Sequence, residues 1–295
     1  MLEENGAALL MGEINSASAK TIMQVADRNK RLFMSIGARS DVLRGRDCNR
    51  YTFHVDIPVT VMVNAAGQAL LRDGLVKGKK IYSITSDYLF GHDLSKAAKA
   101  FYAANGGTPV GDELVATDAT DFSPYLLKLR QAKPDLVSTN LGGNQVTNFV
   151  KQYSEFGLPY PVAGFNLNTA DAWAAGEGNL SGIWPTVLHH DLDVPASKAF
   201  VGAFRAKHGK PPENHAWIEY VSLKIMAQAI AEAKSTETNT LIAYFEKEPQ
   251  FDLLKARKGY FRSWDHQLMQ EAYPFTVKAK GQAKDKWDFL ALGKT

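Results

Sequence analysis

The stretch "KIYSITSDYLFGHDL", Lys80–Leu94, decides the fold. Its first seven residues form a short apolar and hydroxylated run of the kind that makes a buried strand. The segment from Gly91 to Asn105 then carries helical periodicity. A strand thus hands over to a helix through the short junction Asp87–Phe90. Working outward, the same unit recurs. Upstream, "AALLMG" (7–12) is predicted as a strand and "SASAKTIMQVADRNK" (16–30) as a helix, with Ile22, Met23, Val25 and Ala26 at helical spacing and Ser16 or Ser18 as its N-cap. "RLFMSIG" (31–37) and "YTFHV" (51–55) read as strands, and Val59–Leu75 as a helix. Downstream come strand "DELVA", helix "SPYLLKLRQAK" with Pro124 in its first turn, strand "DLVSTN" (135–140), helix 144–156 closed by Gly157, strand "PVAGFN" (161–166) and strand "GIWPTVLHH" (182–190). Repeated β-α-β units with short connections predict a parallel sheet covered by helices on both faces.

After residue 195 the pattern changes. Two longer helices are predicted, 196–208 and 215–234, and then "GYFRSWDHQL…AYPFTVKAKG" as two strands of a hairpin-like return. The fold class is α/β, with a length that suits two similar lobes.

Composition narrows the function. Of 295 residues, 45% are hydrophobic and 22% charged, as in a folded soluble domain. The formal charge of +3 is spread along the chain, which speaks against nucleic-acid binding. No apolar run reaches the roughly 18–20 residues that span a bilayer. The start "MLEENGAALL" has neither a basic n-region nor a cleavage pattern, so no signal peptide is expected in this chain. Cys48 is the single cysteine and has no internal partner.

In an open parallel sheet, ligands sit where strand C-termini meet helix N-termini. Five junctions occupy that position: Asn15-Ser16-Ala17-Ser18, Gly37-Ala38-Arg39-Ser40, Asp87-Tyr88-Leu89-Phe90-Gly91, Asn140-Leu141-Gly142-Gly143-Asn144 and Asn166-Leu167-Asn168. The first two are small, hydroxylated and expected to be rich in free backbone N–H groups, which suits a carboxylate. Arg39 could add a charge-assisted contact. Tyr88 and Phe90 offer rings to stack on a ligand body, and Asn140, Gly142, Asn144 and Asn166 offer neutral amides and a tight turn. Each residue also has a plainer reading: a helix cap for Ser16 and Ser18, an ion-paired loop residue for Arg39, interlobe packing for Tyr88 and Phe90.

Catalytic patterns are weak. "HHD" (His189–Asp191) and "FGHD" (His92, Asp93) contain metal-ligand residue types without a second cluster at supporting spacing, so no metal and no cofactor is expected. There is no G-x-S-x-G elbow, no Walker A motif and no G-x-G-x-x-G after a strand. The expectation is a protein that is not an enzyme.

The order of these segments resembles the leucine/isoleucine/valine-type periplasmic binding proteins, the substrate-capturing components of branched-chain-type ABC importers. The matching path runs from "INSASAK" through "FMSIGARSDVL", "RYTFHV", "KKIYSITSDYLFGHDL", "TDFSPYLLKLRQAKPDLV" and "VKQYSEFGLPYPVAGFN" to "AWIEYVSLKIMAQAI" and "GYFRSWDHQ". It covers essentially the whole chain, and "KIYSITS" through "FGLPYPV" is its most specific part. The resemblance implies a type I periplasmic binding fold: two Rossmann-like lobes, joined by three crossings, that close on a ligand. Lobe 1 is expected to hold 1–56 plus 191–264, and lobe 2 to hold 57–190 plus 265–295, the last crossing falling between Trp264 and Pro274. The family's first lobe normally begins with further strands and helices, so this chain is expected to lack the N-terminal part of lobe 1.

Residue by residue, the resemblance puts Ser16 at the hydroxyl that binds the ligand carboxylate, with Ala38 N–H and the Ser40 hydroxyl completing that clamp. Phe90 falls where amino-acid binders carry a Tyr. Gly142 and Gly143 replace an aromatic segment, and Asn166 falls where such binders place a Glu for the ligand's α-ammonium. The ammonium-holding half is thus missing. The expected ligand is a small carboxylate without an α-amine, an aromatic acid before a branched-chain amino acid. The expected partner is a membrane ABC permease, and the expected state a monomer in the periplasm. The sequence leaves two alternatives open: a cytosolic ligand-sensing regulator of the amide type, and a truncated chain without function.

Overall fold

The computed structural model describes residues 6–279 and 281–293. In chain order the elements are β1 (Leu9–Gly12), α1 (Ser16–Asn29), β2 (Leu32–Ser35), β3 (Thr52–His54), α2 (Val59–Arg72), β4 (Lys80–Ser86), α3 (Leu89–Ala104), β5 (Thr108–Val115), α4 (Ser123–Ala132), β6 (Leu136–Asn140), α5 (Asn144–Glu155), β7 (Val162–Gly164), α6 (Thr169–Ala175), β8 (Ile183–Thr186), α7 (Pro195–His208), α8 (Asn214–Ala233), α9 (Thr238–Phe245), β9 (Tyr260–Phe261), β10 (Leu268–Met269), β11 (Tyr273–Val277) and β12 (Leu290–Leu292). They divide into two compact units, Met1–Pro58 with His190–Glu271, and Val59–His189 with Ala272–Thr295.

Unit 1 contains the parallel sheet β1-β2-β3 and the antiparallel pair β9-β10. β2 is buried along its whole length. The core beside it is aromatic: Phe53 packs on Phe245 and Phe261 at ring-centroid distances of 4.8 and 5.2 Å and stacks on His266 at 4.0 Å. Burying rings of this size supplies much of the unit's cohesion.

Unit 2 is a seven-stranded sheet in the order β12-β11-β8-β7-β6-β4-β5. The strands β8, β7, β6, β4 and β5 pair in parallel, and β11 and β12 add antiparallel pairs at one edge. Side chains alternate between faces along each strand. Tyr82, Ile84 and Val137 therefore join the core with Phe122, Leu126 and Phe149 of the α4–α5 side. Ser83, Thr85 and Ser138 fall on the other face, where the Tyr102 hydroxyl of α3 donates to Ser138 Oγ at 3.0 Å. Gly164 of β7 is required by close approach: a Cβ there would lie 1.8 Å from the ring of the fully buried Trp184.

Three differences from the sequence reading have local causes. The last crossing lies at 271/272, inside the expected Trp264–Pro274 interval but later than the 264/265 boundary, because Asp265–Glu271 is tied into unit 1. His54 N–H donates to His266 O at 2.9 Å, His54 and Gln267 form a parallel bridge, and β10 pairs with β9. The other crossings are at 58/59 and 189/190. "GYF" and "YPFTV" do not pair with each other: Tyr260–Phe261 pairs with Leu268–Met269 in unit 1, and β11 pairs with β8, both in unit 2. Finally, α6 and α9 are helices the sequence reading left unassigned, the first with a reciprocal Asn168–Asp171 capping box and the second capped by the Glu237 carboxylate.

Unit 1 also buries a lysine. Lys255 Nζ lies 4.4 Å from the Trp217 ring centroid and donates to Gln270 Oε1 at 2.8 Å and Glu271 O at 2.7 Å. Burial pulls its pKa down to about 7, against the opposing pull of Glu271 and Asp56. Between that value and 10.5 the unfolded chain holds a proton that the folded one lacks, so this group makes stability rise with pH across that window. The stability difference between wild type and Lys255→Met should move in favour of wild type by more than about 1 kcal/mol from pH 6 to pH 9.5. Urea melts at the two pH values check this, and a pH-independent difference would assign Lys255 an unshifted pKa.

Candidate functional site

The candidate residues fall into two groups, each within one unit. In unit 1 the β1–α1 loop is organised by its own side chains. Asn15, not Ser16 or Ser18, is the N-cap of α1: its Oδ1 accepts from Ala17 N–H at 2.8 Å and Ser18 N–H at 3.1 Å. The Glu13 carboxylate accepts from Ile14 N–H at 3.0 Å and Asn15 N–H at 2.7 Å. The expected bank of free backbone N–H groups is therefore largely used internally. Asn15, Ser16 and Ser18 are all of types that can cap, and here the helix begins at Ser16, which makes Asn15 the cap.

That choice releases Ser16. One position along a helix turns a side chain by about 100°, so Ser16 points inward and is buried, whereas Ser18 is exposed. Ser16 Oγ accepts from Ser40 N–H at 3.2 Å. This bond links the first junction to the second.

The second junction is held from beneath by Arg44. Its Nη1 donates to Ala38 O at 2.9 Å and Ser40 O at 3.1 Å, its Nη2 donates to Asp56 O at 2.9 Å, and its Nε donates to Gln267 Oε1. Burial lowers the pKa of this guanidinium to about 10, with Asp41, Asp56 and Asp265 pulling it upward and Arg39 adding to the fall. It stays charged at neutral pH. Arg39 is also buried, and its Nε donates to Asp56 Oδ2 at 2.6 Å. Its charge thus has a protein partner, as in the plainer reading. Arg44 was not among the sequence candidates. Its signal was only its place four residues after Ser40.

In unit 2, Tyr88, Phe90 and Gly142 come together. The Tyr88 and Phe90 ring centroids are 5.9 Å apart, and a Cβ on Gly142 would lie 2.8 Å from the Tyr88 hydroxyl oxygen. Gly142 N–H donates to Ser86 Oγ at 3.1 Å, and the Ser86 hydroxyl donates to Gln145 Oε1. Gln145 in turn donates to Ala116 O at 2.7 Å. Asn166 is buried and its Nδ2 donates to Leu141 O at 3.0 Å. Asn140 is fully buried, and its Nδ2 donates to Thr85 Oγ1 at 3.0 Å. Asn144 stands exposed in the first turn of α5, away from this network of bonds.

Asp87 and His92 bracket the Tyr88–Phe90 segment. His92 pairs with Asp87 at 2.9 Å, both half-exposed. Among the described residues, His189, His190 and Asp191 are the grouping of ligand types that could hold a metal. They are consecutive in sequence, and each is engaged in contacts of its own.

Comparison with known proteins places this arrangement. The family model described as "Periplasmic binding protein" matches residues 1–282. The chain is similar to the crystal structure of a periplasmic binding protein from Burkholderia mallei, at 28% identity and a TM-score of 0.91 over 99% of this chain and 77% of that one. It is also similar to a branched-chain amino acid ABC transporter periplasmic ligand-binding protein from Burkholderia xenovorans, at 26% identity and a TM-score of 0.85 over 99% and 78% of the two chains. Among curated relatives it is 26% identical over 246 residues to "Leu/Ile/Val-binding protein homolog 4" of Brucella melitensis, a match that takes in 79% of this chain and 58% of that relative's length. The α/β units with their parallel sheets, and a family match across nearly the entire sequence, lead to one conclusion: the chain belongs to the periplasmic binding protein family.

Proposed function

We propose that this chain is the solute-capturing component of an ABC importer, exported to the periplasm and delivering its ligand to a membrane permease. Its ligand is a small carboxylate without an α-amine, and an aromatic acid fits best. Ser16, Ala38 and Ser40 of unit 1 hold the carboxylate. Arg39 sets the local charge, and Ser18 stands at the rim. Tyr88, Phe90, Asn140, Gly142, Asn144 and Asn166 of unit 2 meet the rest of the ligand.

The observation that carries this reading is the Ser16 Oγ–Ser40 N–H bond. A hydroxyl that accepts from a backbone N–H keeps its single proton to donate elsewhere. A carboxylate is the acceptor that makes the strongest use of it. The neutral Asn166 and the ring pair Tyr88–Phe90 supply no anion to hold an ammonium group. An amino acid would then place a desolvated charge against amides and rings, at a cost of several kcal/mol.

The test is a thermal-shift screen followed by calorimetry against branched-chain amino acids, aliphatic carboxylates, aromatic carboxylates and short amides. A rise in melting temperature with one carboxylate class, and none with amino acids, is expected. Ser16→Ala should weaken carboxylate binding by about 1–3 kcal/mol, the cost of leaving a charged acceptor one donor short. Unchanged affinity in that variant would remove Ser16 from the clamp.

A further inference from the structure

The direction of a hydrogen-bond chain in unit 2 fixes which face of Asn140 is left for a ligand. Asp112 of β5 receives three donors: Thr85 Oγ1 at 2.6 Å, Ser95 Oγ at 2.9 Å and Lys99 Nζ at 2.6 Å. Together these donors outweigh the burial of the carboxyl and hold its pKa below the usual range, so it is ionised and can only accept. The one hydroxyl proton of Thr85 is therefore committed to Asp112. Thr85 Oγ1 can then only accept from Asn140, its register neighbour on β6, which must turn its NH2 group toward it at 3.0 Å. The amide cannot be flipped without facing oxygen to oxygen. Its Oδ1 is left as a buried acceptor with no protein donor among the described residues.

Asn140 is the last residue of β6, at the strand end where ligands of parallel sheets sit. An unpaired buried acceptor is costly, and a ligand donor that meets it gains correspondingly. A site built around a polar partner also rejects analogues that lack it. We infer that Asn140 is the specificity-determining residue of unit 2 and that the carboxylate carries a hydrogen-bond donor, such as a hydroxyl, on the part remote from its carboxyl group. This rests on the carboxylate reading above and narrows it to hydroxylated acids. The lever is the Lys99–Asp112–Thr85 chain, which polarises the amide from behind.

The experiment is calorimetric titration of the wild-type chain with benzoate, 3-hydroxybenzoate, 4-hydroxybenzoate and 4-methoxybenzoate, the last retaining the oxygen but not the donor. A hydroxybenzoate is expected to bind at least tenfold more tightly than both benzoate and its methoxy analogue. In Asn140→Leu that preference should fall below threefold. Benzoate binding as tightly as every hydroxylated acid would overturn the inference and leave the carboxylate reading standing, with Oδ1 served by solvent. A preference that persists in Asn140→Leu would also overturn it. Failure of all four acids to bind would overturn the aromatic-carboxylate reading and this inference with it. Should Asn140→Leu not fold, the wild-type series decides.

Discussion

Arg44→Met is expected to destabilise the chain by about 3–5 kcal/mol, the usual result of removing one partner from a buried charged network. Met keeps much of the apolar stem and removes every donor. Ala38 O, Ser40 O, Asp56 O and Gln267 Oε1 lose the guanidinium that serves them, and all lie within the fold. The positive charge also offsets Asp56, which would then depend more heavily on its ion pair with Arg39. Arg44→Lys should recover less than half of the loss, because a point-like ammonium cannot serve divergent acceptors as a planar fork does. Equilibrium urea unfolding measures both variants. A loss below about 1 kcal/mol for Arg44→Met would mean that water replaces the guanidinium at these carbonyls and that the loop is not built on it. The effect should reach binding too, since Arg44 holds the two carbonyls that flank the Arg39 position of the proposed clamp.

Asn166→Glu is expected to weaken binding of an acid that lacks an amine by about 100-fold or more at pH 8, which corresponds to roughly 3 kcal/mol. The native amide donates to Leu141 O. A carboxylate there would face a carbonyl oxygen with no donor to give, and would add a negative charge near an anionic ligand. Burial and the ligand's charge should both raise the pKa of the introduced carboxyl. Below that raised value it becomes neutral and can donate to Leu141 O again. Affinity should therefore recover by at least tenfold between pH 8 and pH 5, where a benzoate-like ligand is still mostly ionised. Calorimetry at the two pH values reads this directly. Binding as tight as wild type at pH 8 would mean that Asn166 does not face the ligand.

The β-α-β course was legible because it rests on local signals. β4 and β6 are continuous buried runs bounded by turn residues, and helices such as α3 and α5 carry an apolar stripe at helical spacing. α6 could have been read from Asn168 and Asp171, a capping pair three residues apart, but its seven residues are too few for periodicity to declare. β10 and β12 escaped for the same reason, being two and three residues long. Their place is fixed by strands distant in the chain.

At the candidate site the division is sharper. Residue types and order alone determined that small hydroxylated junctions lie at one end of unit 1's sheet and aromatic and amide junctions at the corresponding end of unit 2's. Tertiary structure decided what each group does there. It made Asn15 the cap and so turned Ser16 inward to Ser40. It gave Arg39 to Asp56, and put Arg44 and Gln267, 223 positions apart, beneath the second junction. It also oriented the Asn140 amide through Thr85 and Asp112. Capping and periodicity act over one or two turns of chain, so a sequence displays them directly. The partner of a buried polar group is set by whichever segments the fold brings alongside, and nothing local in the chain encodes that choice.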